Sequence, residues 1–331
     1  MQRLGLTIGL EGASLTEAIA LCKEAEELGY SDAWSAEVGG PDGFASLAAL
    51  AGSTTALRLG TAIVPVFTRP PALMAMAAAT VAHLSGGRFV LGLGTSSDVI
   101  VSSWMGGSFD RPLQRLREYV EVLREILAGK KVSYDGDTVS LHGFRLQIDP
   151  GSPPPIYVAA LGPKACRLAG EVADGVIFFM KSAAGVRQAL DWVAAGARNA
   201  GRDPATLDCV IRLPVAVDED EEVLRFMARR LITTYAAVDV YNRSLSAQGF
   251  SAEAEAVRKA WQAGERDEAN AAVSEEMIDE LLITGDRDTC RARLGEFRDA
   301  GVKTPVILPF SVAGDPNERA ERIRAAVSAL V

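Results

Sequence analysis

The run Arg88-Phe89-Val90-Leu91-Gly92-Leu93-Gly94-Thr95-Ser96-Ser97-Asp98 changes character halfway along. Its first half is apolar and β-prone, which predicts a buried strand. Its second half is small and polar. Gly92 and Gly94 remove side chains where the strand ends, so backbone or a flat ligand can come close. Thr95, Ser96 and Ser97 then offer hydroxyl and N–H groups without bulk. This suits a polar-edged ligand at the C-terminal end of a parallel strand, where α/β folds place their ligands. The plain alternative is a tight turn leaving a core strand, since a lone Gly-x-Gly is weak evidence by itself.

A second stretch, Leu161-Gly162-Pro163-Lys164-Ala165, leaves a strand and opens a helix. Free N–H groups and the helix dipole there favour a phosphate, and Lys164 adds a charge. The alternative is a proline-started helix with a solvated lysine. A third stretch, Leu59-Gly60-Thr61-Ala62-Ile63-Val64-Pro65, joins small and β-branched residues at a strand end, where core packing is the alternative. Acid–base groups are scarce. Of the 2 histidines, His83 falls late in a helix and His142 on a surface hairpin. No Ser-His-Asp or Cys-His arrangement is available, and no carboxylate cluster has ligand spacing, so no metal is expected. Such a pocket suits a cofactor that brings its own chemistry.

The elements that must carry these stretches follow from hydrophobic periodicity. Strands are expected at 3–10, 30–36, 57–64, 89–93, 156–161, 176–180, 209–217 and 304–310. Each is followed by a helical pattern. Ser14-Leu15-Thr16-Glu17 reads as a capping box, and Asp110 as the cap of a long helix. Residues 131–146 read as a surface hairpin, and residues 239–285 as a largely helical insertion after strand seven. That count predicts an α/β chain folded as one (β/α)8 TIM-barrel domain over residues 1–331, the insertion serving as a lid. The strand ends then collect Gly9, Glu11, Glu37, Val38, Ala62 to Pro65, Gly94 to Asp98, Ala160 to Lys164, Met180, Lys181, Arg212, Pro214, Phe310 and Ser311.

Composition narrows the function classes. Of 331 residues, 48% are hydrophobic and 23% charged, an ordinary globular balance. The net charge of −9, without a Lys/Arg run, argues against a nucleic-acid partner. The longest small apolar run, 72–81, is too short to span a bilayer, and no basic segment leads an apolar one as in a secretory signal. Cys22, Cys166, Cys209 and Cys290 lie far apart, which fits a reducing cytoplasm.

Together these pieces resemble the luciferase-like monooxygenase superfamily, most closely its branch that uses the 8-hydroxy-5-deazaflavin coenzyme F-420. The matching pieces are Leu59 to Pro71, Arg88 to Gly94, Ile156 to Lys164, Leu168 to Gly175 and Asp299 to Val302. The resemblance covers nearly the whole chain except residues 239–285. It implies a barrel with the deazaflavin at the C-terminal face and a non-prolyl cis peptide between Ala62 and Ile63 backing the ring. It further implies cofactor contacts from Ala62, Ile63, Val64, Gly94, Thr95, Ser96, Ser97, Ala160, Gly162, Pro163 and Lys164. Glu37 stands where relatives carry an acidic residue near the ring and is the candidate catalytic residue. Val38 and Ser97 stand where the family's sugar-phosphate dehydrogenases carry a catalytic His and Glu, which argues against that activity.

The implied function is hydride transfer between coenzyme F-420 and a small-molecule substrate, by an enzyme that, like its relatives, is a homodimer. An FMN- and O₂-dependent monooxygenase on the same barrel is the alternative. Arg69, Lys164 and Lys181 favour the deazaflavin, because each could meet its acidic tail. A non-catalytic cofactor-binding protein is the alternative of another class, and turnover with any acceptor would discard it.

Overall fold

The computed structural model describes residues 2–8, 14–149 and 151–331. Along the chain, β1 (Gly5–Thr7) is followed by α1 (Leu15–Leu28), and β2 (Asp32–Ser35) by α2 (Gly43–Ala51). Then come β3 (Arg58–Thr61), β4 (Val64–Pro65) and α3 (Pro71–Leu84). A π-helical turn (Val99–Trp104) separates β5 (Phe89–Gly94) from α4 (Pro112–Leu127). An antiparallel hairpin, β6 (Val132–Asp135) and β7 (Ser140–Phe144), interrupts the alternation. It resumes with β8 (Ile156–Ala159), α5 (Pro163–Val172), β9 (Gly175–Phe179), α6 (Ala183–Asn199) and β10 (Asp208–Val217). The helices α7 (Glu221–Ala236), α8 (Asp239–Ser246), α9 (Ser251–Ala263), α10 (Arg266–Ala271) and α11 (Glu275–Leu281) form the insertion and its approach. The short β11 (Ile283–Gly285), α12 (Arg287–Asp299), β12 (Thr304–Pro309) and α13 (Pro316–Ala329) complete the chain.

The strands β1, β2, β3, β5, β8, β9, β10 and β12 pair in parallel in that order, and β12 pairs back onto β1. The expected (β/α)8 barrel is therefore present. β11 extends the upper half of β10, an addition that sequence patterning does not reveal.

Inward and outward residues alternate along the strands. Trp34, Ala62, Val90, Tyr157, Ile177, Val210 and Val306 fill the lumen. Leu6, Leu59, Leu91, Leu93, Val158 and Phe178 belong to the larger core between barrel and helices. A separate core of Ile232, Leu245, Phe250, Val257, Met277, Ile278 and Leu281 holds α7 to α11 together.

Local chemistry explains the element ends. Ser14 and Glu17 form the expected capping box on α1. Asp110 does not cap α4; its carboxylate turns to Arg111, which occupies the cap position at φ 41°. The expected third strand breaks in two, because the chain leaves the ladder after Thr61 and returns at Val64. Thr61 Oγ1 spans the gap, accepting from Gly92 N at 2.8 Å and donating to Gly92 O at 2.8 Å.

The insertion lies on the C-terminal ends of β8 and β9. Gln248 Oε1 accepts from Ser182 N at 2.9 Å, and its Nε2 donates to Met180 O at 3.2 Å. Lys181 Nζ donates to Ser244 Oγ at 3.2 Å, and Ser244 reaches Leu161 O at 3.5 Å. The expectation of a helical insertion over the mouth is met. Among the described residues no helix is long and apolar enough to cross a membrane.

Candidate active site at the barrel mouth

Four strand ends converge on Ile63. The Glu37 N–H donates to Ile63 O at 3.1 Å, and the Ala62 N–H to Ser35 O at 2.6 Å. The Ala62–Ile63 peptide is cis, as the resemblance implied. A methyl group on Gly94 would lie 2.8 Å from Ile63 Cδ1 and 3.3 Å from Ala159 Cβ. Gly92 is more constrained, since its methyl would fall 1.8 Å from the Thr61 carbonyl oxygen. The two glycines thus shape the bulge itself. The small polar stretch after them runs into the π-helical turn, where Ser97 Oγ accepts from Ile100 N at 3.4 Å.

The remaining candidate residues divide by side-chain direction. Ile63, Thr95, Ser96 and Ser97 are half-buried, as residues lining a mouth should be. Ala62 is 5% exposed and belongs to the lumen core. Val64 and Ala160 turn outward into the core beneath the helices, so only their backbones face the site. Gly162 caps α5 without a side-chain hydrogen bond, Pro163 opens the helix, and Lys164 is exposed. Among the described residues no side chain caps the first N–H groups of α5. Gly9 and Glu11 lie outside the described residues.

Glu37 is held hard. Arg69 Nη1 and Nη2 donate to its two carboxylate oxygens at 2.5 and 2.6 Å, and Gly43 N–H adds a bond at 3.1 Å. The fork geometry fixes the carboxylate. Arg69 also pairs with Asp42, and its guanidinium lies 5.2 Å from the Phe44 ring centroid. The hydrogen bond from Arg69 to Glu37 is the main cause raising the Arg69 pKa further. Arg69 is thus committed to carboxylates and does not wait for an acidic tail. Lys181 is likewise corrected: it is 2% exposed, and burial lowers its pKa. Lys164 alone of the three faces outward. His83 meets Asp149 O at 3.3 Å near the end of α3, and His142 stays on the hairpin beside Asp135, both as expected.

Sequence patterning places Arg212 at a strand end among several others and gives it no role of its own. Its Nη1 donates to Ala62 O at 3.3 Å, and its guanidinium lies 5.6 Å from the Phe179 ring centroid. Its Nε is buried with no hydrogen-bond partner. Burial pulls its pKa down, against the effect of Tyr235 and Tyr241. Those tyrosines reach in from α7 and α8 and pack edge-on against Phe179 at 4.9 and 6.4 Å. The available signal was a charged residue two positions after Val210 on a buried strand, hence on the same inward face.

Among the described residues the mouth thus offers small hydroxyls, an uncapped helix start beside Lys164, the fixed Glu37 carboxylate and the Arg212 guanidinium, which forms no ion pair. That donor set fits a ring with hydrogen-bonding edges and a phosphate-bearing tail. A cleft of about 500 Å³ lined by Asp218, Asp286, Arg287 and Arg322 contains none of the candidate residues.

The model for the luciferase-like monooxygenase family matches residues 2–304. The chain is 32% identical over 306 residues to 5,10-methylenetetrahydromethanopterin reductase of Archaeoglobus fulgidus, covering 91% of each. It is 33% identical over 238 residues to the F-420-dependent glucose-6-phosphate dehydrogenase of Nocardia farcinica, covering 66% of this chain and 70% of that one. Its fold matches the coenzyme F-420-dependent tetrahydromethanopterin reductase structure from Methanopyrus kandleri, with TM-score 0.80, 25% identity and coverage of 98% and 97%. With the barrel, the interrupted third strand and the mouth already in view, this chain belongs to the luciferase-like monooxygenase family.

Proposed function

We propose that the protein is a coenzyme F-420-dependent oxidoreductase acting on a small organic molecule held between the barrel mouth and α7 to α11. The supporting observation is the mouth's chemistry: its carboxylate is already locked by Arg69, while the α5 start stands uncapped beside Lys164. When bound there, the deazaflavin would supply hydride chemistry at an electrophilic carbon of the substrate. The protein's part is to bind, orient and exclude water. Gly162, Pro163 and Lys164 hold the phosphate. Gly94, Thr95, Ser96 and Ser97 hold the ring edge, and Ala62, Ile63 and Val64 back it. Glu37, fixed by Arg69, keeps the β2 end on Ile63 and presents one charged group at the mouth. The four buried free thiols suit a reducing cytoplasm. A homodimer is supported by α3, whose Leu73, Met76 and Leu84 are large, apolar and exposed.

Fluorescence titration with coenzyme F-420 and with FMN tests the reading. F-420 is expected to bind and FMN to bind far more weakly; the reverse order would replace this reading by the monooxygenase one. Gly162→Asp sharpens the test. A Cβ there meets nothing within 4 Å, and aspartate is a good N-cap, so folding should be unharmed. Its carboxylate should repel the phosphate and weaken F-420 binding about tenfold or more.

A further inference from the structure

We propose that Arg212 is the anion-recognising side chain of the mouth, and that the anion is the pyrimidine edge of the deazaflavin ring. This rests on the coenzyme reading above and adds a residue to it. Arg212 sits on the inward face of β10, directly beside Ala62 O at 3.3 Å. Its Nε–H is buried and lacks an acceptor, and among the described residues it makes no ion pair. Buried guanidinium groups are normally paired, and among the described residues this one lacks its acceptor. The contrast is within the chain: Arg58, at the other end of the lumen, has both Asp32 and Asp208.

The surroundings select a flat, delocalised anion. Phe179 lies against the guanidinium, and Tyr235 and Tyr241 stand edge-on to Phe179, so the walls are aromatic. A planar guanidinium presents a fork that matches two adjacent acceptors on one edge. An 8-hydroxy-5-deazaflavin offers that edge. Loss of its 8-hydroxyl proton spreads negative charge through the conjugated ring to the pyrimidine N1 and C2 oxygen. A cation at that edge stabilises the ionised ring and lowers the pH at which it forms.

The experiment follows the ionisation of bound, oxidised coenzyme F-420 by its visible absorption across pH, without substrate. In the wild type it should ionise at lower pH than free coenzyme. Arg212→Gln should raise that pH by about one unit, a tenfold change, and Arg212→Lys should restore part of the shift. Thermal unfolding of each variant checks the fold. Identical ionisation in wild type and Arg212→Gln would overturn the assignment. If, in addition, benzoate binds the coenzyme-loaded wild type but not the variant, the anion belongs to the substrate and the ring assignment is likewise overturned. Absence of coenzyme binding to the wild type would instead sink the coenzyme reading.

Discussion

Gly92 and Gly94 stand two positions apart on β5, yet a methyl group on each meets different matter. At Gly92 it meets the Thr61 carbonyl at 1.8 Å, which is backbone and cannot yield. At Gly94 it meets the Ile63 side chain, Cδ1 and Cγ1 both at 2.8 Å, which can shift only by turning its stiff χ1. Gly92→Ala should therefore cost about 3 kcal/mol or more, the upper end of overpacking, in urea unfolding. Gly94→Ala should cost less, about 1–2 kcal/mol, the lower part of the overpacking range, while pushing Ile63 into the mouth and weakening F-420 binding several-fold. Equal stability losses would mean that β5 relaxes as a unit. The sequence made both glycines legible as places of close approach. It could not show what approaches, because Thr61 and Ile63 lie about thirty residues earlier and meet them only through the parallel pairing of β3 and β5. Arg212 was visible in the same partial way: its inward position follows from period two, but the absence of a partner is a fact of three dimensions.

Elements were legible where periodicity is strong and less so where single groups decide. Alternation in the sequence shows the hairpin β6–β7 as a surface feature but not its anchor on α4. Glu118, 2% exposed, accepts from Asp137 N at 2.9 Å, Thr138 N at 2.8 Å and Val139 N at 2.9 Å. Burial pushes its pKa up, but the hydrogen bonds from Thr138, Gln114 and Asp137 outweigh that and hold it at about 2, against an ordinary 4.5. A depressed carboxylate stabilises the fold above its unfolded value and loses that contribution as pH falls through the folded one. Stability should therefore drop between pH 4.5 and about 2, and Glu118→Gln should be weaker at neutral pH but flatter across that window. Urea midpoints at pH 6 and pH 3 measure both; parallel slopes would remove Glu118 from the account. The insertion shows the same limit of legibility. Its helices follow from patterning, while nothing in the pattern marks Gln248, which bonds Ser182 N and Met180 O. Gln248→Ala should loosen α8 from β9, so that limited proteolysis cuts residues 239–285 faster while the barrel stays intact. Unchanged cleavage rates would assign the attachment to Lys181 and Ser244 instead.

At the scale of the molecule, the two ends of the lumen treat charge in opposite ways. At the N-terminal end Arg58 donates to Asp32 at 2.5 Å, Asp208 at 3.0 Å, Tyr157 at 3.1 Å and Thr304 at 3.0 Å, tying β2, β3, β8, β10 and β12 together. Asp208 also accepts from Tyr157 at 2.6 Å and from Arg3 at 2.7 Å. Among the described residues Arg58, Asp32 and Asp208 are all paired there, and the Asp32 side chain is 0% exposed. At the C-terminal end Arg212 keeps one N–H without an acceptor. Barrels place stability at the first face and chemistry at the second, and this charge arrangement makes that division testable with the same residue type. Arg58→Met keeps much of the volume but leaves the buried Asp32 carboxylate without its cation, while Asp208 keeps Arg3 and Tyr157; removing one partner of a buried ion pair costs about 3–5 kcal/mol. Its unfolding midpoint should fall steeply, while F-420 affinity in the folded protein at low temperature stays near wild type. Arg212→Gln removes a cation that forms no ion pair among the described residues, so its stability should change by about 1 kcal/mol or less, the range of one ordinary hydrogen bond, while the bound coenzyme's ionisation shifts. Equilibrium unfolding and coenzyme titration of both variants measure the two effects side by side. If Arg58→Met proves as stable as the wild type, the closed end of the barrel is held by its apolar layers alone, and the ion network only replaces the hydration it displaced.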